Sequence, residues 1–384
     1  MDEIFSLIKE EEERQENTIN LIASENYVSS GVREALSSAF MNKYAEGYPG
    51  KRYYQGNAVV DKVENLAREK ALEVFSLSSD EWSVNVQPLS GAQANLAVYS
   101  ALVPLGETIL ALDLSHGGHL SHGHKVSLTG KLWKQEKFGV SRDTEMIDYD
   151  ELKKIAVETK PKMIVAGFTA YPREVNFRKL REIADSVGAY LHADISHIAG
   201  LVVGGVHQPP FSVADTVMTT THKTLRGPRG AIIFSSPEYA AKIDKAVFPG
   251  IQGGPHMNKI AAMAVAFTEA LKPEFKTYAE DVAKNAKALA DTLSERGLRL
   301  VSGGTDTHLL LVDTWQEGKG IPGDEAAEKL EAEGIVTNKN TIPFDERSPQ
   351  SPSGIRLGTA AETTRGKDES DFREIGNKIA DILI

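Results

Sequence analysis

Short apolar runs alternate with stretches of helical period along most of the chain. Thr108 to Leu112, Met163 to Ala166, Tyr190 to His192, Thr216 to Thr219 and Ala231 to Phe234 are brief and rich in branched residues, which predicts strands. Between them, stretches such as Val59 to Phe75 and Phe177 to Val187 repeat their apolar residues at helical spacing. That alternation predicts an α/β fold with a mostly parallel sheet covered by helices. At the N-terminus, Ile4, Leu7 and Ile8 mark an amphipathic helix, followed by an extended piece around Asn20 to Ala23. After the glycine- and proline-rich Phe248 to Pro255, one long helical pattern continues to about Arg296. A second α/β pattern follows: a strand at His308 to Val312, a helix at Gly323 to Ala332, an extended Ile335 to Thr337 and a closing helix near Phe372 to Ile382. The expected division is an N-terminal arm (1–30), a large domain (31–272) and a smaller C-terminal α/β domain (273–384).

Composition changes this picture little but excludes several functions. Of 384 residues, 41% are hydrophobic and 25% charged, which is ordinary for a soluble chain with a sizeable core. A net charge of −11 opposes binding to nucleic acid, which needs a basic face. With no cysteine there is no disulfide, thiol nucleophile or thiolate metal site. The acidic N-terminus lacks a signal-peptide core, and no uninterrupted apolar stretch is long enough to span a membrane. The expectation is a cytoplasmic protein with small-molecule partners.

In open α/β sheets ligands bind at the carboxyl ends of strands, so polar residues just after the apolar runs deserve the first look. Lys223 follows a strand that ends in threonines and precedes a turn containing Gly227, Pro228 and Gly230. A desolvated lysine amine is a nucleophile towards an aldehyde; the plain alternative is a solvated loop lysine. Asp194 comes directly after a buried run, where a carboxylate can keep a pyridine nitrogen protonated or simply cap a turn. His197, three residues on, can orient that carboxylate or lie near the ring. Ser90, Gly91 and Ala92 open a helix whose free N–H groups suit a phosphate, unless Ser90 only caps it.

His116, His119, His122 and His124 raise a metal hypothesis, but their glycine spacing resembles no zinc motif. One of these imidazoles stacked on a flat cofactor fits better. Glu46, among tyrosines in a loop that can be neither helix nor central strand, is an acid–base candidate or a solvated glutamate. Arg356, in a short strand-like run, can grip a carboxylate with its two-pronged guanidinium or form a structural ion pair.

Assembled in order, the segments LIASENY (21–27), NKYAEGYPGKRYY (42–54), HGGHL (116–120), TTHKT (220–224), QGGP (252–255), VTNKN (336–340) and SGIRLGT (353–359) resemble the serine hydroxymethyltransferase family. The resemblance runs from about Leu21 to Thr359. It implies an aspartate-aminotransferase-like, fold-type-I large domain, pyridoxal 5'-phosphate held covalently on Lys223, and tetrahydrofolate as co-substrate. By the same resemblance, Asp194 pairs with the pyridinium nitrogen, His119 stacks on the ring and His197 sits near the phenolic oxygen. Ser90, Gly91 and Ala92 hold the phosphate, Gly254 reaches in from a neighbouring subunit, and Tyr44, Thr169 and His222 complete the cofactor contacts. Arg356 clamps the amino-acid carboxylate, helped by Ser24 and Tyr54, while Glu46 handles a proton on the hydroxymethyl group or folate. Glu46, Tyr53, Leu114, Gly118, Leu120 and Asn340 match folate-contacting positions. Tyr44, Glu46 and Tyr54 serve the partner's site, so a homodimer is implied, with pairing of dimers into tetramers left open. Thr169 stands where serine is common, and Ala92 replaces a serine of some members. The same lysine, aspartate and arginine would also serve a threonine aldolase or an α-methylserine hydroxymethyltransferase; the histidine cluster would instead serve a metal-dependent hydrolase.

Overall fold

The computed structural model describes residues 2–384. It divides into two compact units. One comprises Tyr27–Thr169 with Glu174–Glu280, and the other Ala170–Arg173 and Asp281–Ile384 with the N-terminal segment ending at Asn26. Among the described residues no helix is long and apolar enough to cross a membrane.

The first unit is built on seven strands: β1 (Ser83–Asn85), β2 (Thr108–Leu112), β3 (Lys134–Phe138), β4 (Met163–Gly167), β5 (Tyr190–Asp194), β6 (Thr216–Thr220) and β7 (Ala231–Ser235). They lie in the order β1-β7-β6-β5-β4-β2-β3. The run from β6 to β3 is parallel, and β7 and β1 pair antiparallel at one side. This is the mostly parallel α/β sheet expected. All five residues of β4 are buried, which is why the sequence there reads as an unbroken apolar run. β3 escapes such a reading because it is an edge strand, polar and largely exposed.

Helices α1 (Asp2–Asn17), α2 (Ala58–Val74), α3 (Gly91–Leu102), α4 (Phe177–Val187), α5 (Met257–Ala270), α6 (Pro273–Glu295) and α7 (Glu369–Leu383) are among the longest. In α4, Phe177, Leu180, Ile183 and Ala184 form one buried face; the Asn176 side chain caps its start and left-handed Gly188 ends it. The single long helix expected after Pro255 is two helices, α5 and α6. Pro273 lacks an N–H and its ring would collide with the preceding turn, so it opens a new helix rather than continuing the old one. α1 buries none of its residues, and Ile4, Phe5 and Leu7 are exposed.

The second unit holds four antiparallel strands, β8 (Arg299–Leu300), β9 (Leu309–Asp313), β10 (Asn338–Asn340) and β11 (Gly354–Gly358), in the order β8-β9-β11-β10. Its core joins Leu289 and Leu293 of α6, Leu310, Ile355, and Phe372 and Ile379 of α7. Leu21 belongs to the same core, and Ile19–Asn20 pairs in parallel with Ile335–Val336. The N-terminal segment is thus a strand of this unit. Glu362, fully buried, is held by the Asn20 N–H at 3.0 Å and by Arg365 at 3.1 Å.

Candidate active site

The carboxyl ends of β4, β5 and β6 lie side by side, with Gly167 registered on Asp194 and Asp194 on Met218. This edge gathers Thr169, Asp194 and Lys223 from three consecutive strands. Asp194 is the last residue of β5, two positions beyond the run visible in the sequence. Lys223 comes three residues after β6, and its Nζ donates to Thr220 Oγ1 at 3.2 Å. Thr169 N donates to Gly117 O at 2.8 Å, tying the histidine loop to the end of β4. A side chain on Gly118 would sit 2.1 Å from Leu112 O, so only glycine allows this loop to fold back over β2.

α3 begins beside the same edge. A Cβ on Gly91 would meet Thr220 Cγ2 at 2.8 Å, so the helix start rests directly on the end of β6. Ser90 is the N-cap residue, but its side chain makes no capping bond. The capping alternative for Ser90 is therefore not realised, and the first N–H groups at the positive end of a 12-residue helix stay available to an anion. His222 is also oriented without use inside the chain: its Nδ1 is buried and finds no hydrogen-bond partner. Burial, then the charges of Lys223 and Arg229, push the His222 pKa down to about 3.

Asp194 is 8% exposed and fully bonded. Oδ2 accepts from His122 Nε2 at 3.0 Å and from Asn95 Nδ2 at 3.0 Å, and Oδ1 accepts from the Ser196 N–H at 3.1 Å. Burial alone would raise its pKa. The bonds from His122, Ser196 and Asn95 outweigh burial and hold the carboxyl well below the usual carboxylate range. The imidazole on this carboxylate is His122, which sequence reasoning did not select. His197 is buried, and its carbonyl accepts from Thr224 Oγ1 at 3.0 Å. The four loop histidines diverge. His116 Nδ1 takes the Val140 N–H, His119 Nδ1 faces Ser121, His122 holds Asp194 and His124 Nδ1 faces the Val126 N–H. Arg226 lies over the Tyr278 ring at 4.2 Å.

A second group is aromatic and open. The Tyr44 and Tyr54 rings meet edge-on at 5.1 Å, and Tyr53 adds to Tyr54 at 5.4 Å. The Tyr44 ring lies 3.3 Å from where a Gly254 side chain would start, and Glu46 Oε1 lies 3.5 Å from the same point on Gly253. Tyr44 and Tyr53 are 54% and 78% exposed, and the Glu46 charge raises the Tyr44 pKa. Leu114 opens a short helical turn after β2 and Leu120 is exposed.

In the second unit Arg356 lies on β11, registered on Leu311 and Asn338, and is 7% exposed. Its Nε donates to Asn338 Oδ1 at 3.3 Å, and burial pushes its pKa down to about 10. Asn338 is a further residue the sequence reading passed over. A Cβ on Gly358 would lie 2.4 Å from Ala23 Cα, so this glycine lets the segment carrying Ser24 lie against the same strand. Asn340 sits on edge strand β10, its side chain bonded to Thr341 O at 2.6 Å.

A lysine amine, a buried ionised carboxylate and an uncapped helix start at one sheet edge are what a phosphorylated pyridine aldehyde needs for its three functional groups. Sheet order and site together define a fold-type-I pyridoxal-phosphate enzyme. The comparisons make this more specific. The family model for serine hydroxymethyltransferase matches residues 1–379. The serine hydroxymethyltransferases of Leptospira biflexa serovar Patoc, from the Ames and Paris strains, are each 54% identical to this chain over 381 residues, covering 99% of the chain and 90% of the relative. The chain belongs to the serine hydroxymethyltransferase family.

Proposed function

We propose that Lys223, Asp194 and His119 form the working centre of this enzyme. As a member of its family it transfers the hydroxymethyl group of L-serine to tetrahydrofolate, giving glycine and 5,10-methylenetetrahydrofolate, with pyridoxal phosphate as cofactor. The observation that carries the assignment is the buried, hydrogen-bonded Asp194 at the same sheet edge as Lys223.

When bound, pyridoxal phosphate supplies an aldehyde that condenses with amines and a ring that draws electrons from the substrate α-carbon. Lys223 Nζ holds that aldehyde, steered by Thr220 Oγ1 at 3.2 Å. The Asp194 carboxylate would keep the pyridine nitrogen protonated, and His119 would hold the cofactor ring. The N–H groups of Ser90, Gly91 and Ala92 at the α3 start take the phosphate. Thr169, His197 and His222 serve the remaining cofactor oxygens.

Arg356 takes the amino-acid carboxylate in its guanidinium fork, with Ser24 and Tyr54 beside it. Glu46 handles a proton on the hydroxymethyl group or on folate. Leu114, Gly118, Leu120, Tyr53 and Asn340 receive the folate. The exposed Tyr44 and Tyr54 with half-buried Glu46, together with Gly254, serve the second subunit of a homodimer, and the enzyme works in the cytoplasm. Open aromatic rings beside an acid–base candidate support that reading.

The test is serine cleavage by the purified protein with and without tetrahydrofolate, alongside Lys223→Ala. Cleavage strongly accelerated by folate, and loss of visible cofactor absorbance in Lys223→Ala, are expected. Equal rates without folate would make it an aldolase; a normal imine absorbance in Lys223→Ala would remove Lys223 from the site.

A further inference from the structure

We propose that Asn95 is a positioning residue that fixes, through one chain of directed hydrogen bonds, both the carboxylate of Asp194 and the ring of His119. This rests on the site reading above. Asn95 is the fifth residue of α3, fully buried among Ala94, Ala97 and Val98. Asparagine is a poor choice for a helix interior, and a buried amide is costly unless its donors and acceptor are met. Here they are. Nδ2 gives one hydrogen to Asp194 Oδ2 at 3.0 Å and the other to Ser121 Oγ at 2.9 Å. Oδ1 faces His192 Nε2 at 2.9 Å.

The direction of each bond follows from one fact: an ionised carboxylate only accepts. The amide nitrogen must therefore face Asp194, which turns Oδ1 to His192. Oδ1 only accepts, so His192 carries its proton on Nε2. The ring is fully buried, and burial pushes its pKa down to about 4, so at neutral pH it holds a single proton. Its Nδ1 then accepts from Thr216 Oγ1 at 2.8 Å.

On the other branch Ser121 Oγ accepts from Asn95, which leaves its own hydrogen for His119 Nδ1 at 2.7 Å. The Ser121 N–H points to the same nitrogen at 3.1 Å. His119 Nδ1 is thus an acceptor, and its proton lies on Nε2. A change of charge at Asp194 would have to propagate through the amide to that ring. His122 also bonds the carboxylate and lies 5.4 Å from the His119 ring, but it meets His119 only through backbone and ring face; the bonds that reach His119 Nδ1 from Asp194 run through Asn95 and Ser121.

Nitrogen-15 spectra of the histidine rings test the proton order, on protein freed of cofactor and on the loaded enzyme. The expected wild-type result is one tautomer for His119 and for His192, each protonated on Nε2. In Asn95→Ala the Ser121 hydroxyl loses its donor and the His119 Nδ1 signal shifts, the cofactor dissociation constant rises about tenfold and kcat falls more than KM. Ser121→Ala, a smaller change less prone to misfolding, removes the hydroxyl but keeps the Ser121 N–H on His119 Nδ1, so it shifts that nitrogen's signal while the proton stays on Nε2. A His119 proton on Nδ1 in the wild type, or an unshifted His119 Nδ1 signal in Ser121→Ala, would overturn the proposal. So would wild-type cofactor affinity in a folded Asn95→Ala. Asp194→Asn separates the two levels: wild-type cofactor absorbance and affinity there would refute the role of Asp194 itself, whatever the ring spectra show.

Discussion

The sheet-edge centre and the tyrosine rim differ in how their chemistry is held. Asp194 sits in the interior with three hydrogen bonds, and its partners His122, Asn95 and Ser196 are buried. Its ionisation is set before any ligand arrives, because low dielectric surroundings make each bond strong and leave no water to compensate for a missing one. Tyr44, Glu46, Tyr53 and Tyr54 instead touch mostly one another, and Tyr53 remains 78% exposed. One region is organised by the chain alone. The other has its reactive groups at a surface, where a second subunit and a ligand would supply the missing walls.

The comparison breaks first at its interior side. Asp194→Ala should lower hydroxymethyl transfer about a thousandfold, since an electrostatic group aimed at developing charge is being removed. Steady-state rates at saturating cofactor check this; a loss under tenfold would mean that the carboxylate is structural. At the rim, Glu46→Gln should reduce kcat about a hundredfold with cofactor affinity retained. Hybrids sharpen the contrast. If rim residues serve the partner's centre, mixed dimers of Lys223→Ala and Glu46→Gln contain one intact site, and random mixing restores about a quarter of the wild-type rate. No recovery would mean that each site uses its own rim.

The smallest effect is on stability. The folded-state pKa of His192 is depressed from 6.5 to about 4, so the unfolded chain takes up a proton first as pH falls. The associated stability is present above 6.5 and is lost as pH drops towards 4. Between pH 7 and pH 5 this group should cost roughly 2 kcal/mol. Denaturant midpoints of wild type and His192→Gln check it; identical pH slopes would contradict the buried neutral imidazole.

Much of the scaffold could be read from the chain because buried parallel strands leave unbroken apolar runs, as in β4 and β7. Edge strand β3 left no such trace. Lys223 and Asp194 were visible as polar residues at the ends of those runs. His122 and Asn95 were not, because they meet Asp194 from 72 and 99 residues away through pairings no local pattern encodes. Two signals were present: an asparagine on the buried, apolar face of a helix, and a histidine in the middle of β5 between Leu191 and Ala193. Each is a buried polar group that requires a partner, and here they are partners of each other. Glu46 stood out only as an acid–base candidate that could equally be a solvated loop glutamate, and the roles of the rim residues came through family resemblance.

The most direct test of the central assignment is borohydride reduction of the protein as isolated, followed by peptide mapping. The account predicts a stable pyridoxyl group on Lys223. The same group on another lysine, such as the buried Lys259 beneath the carbonyls of Val86, Gln87 and Pro88, would contradict it.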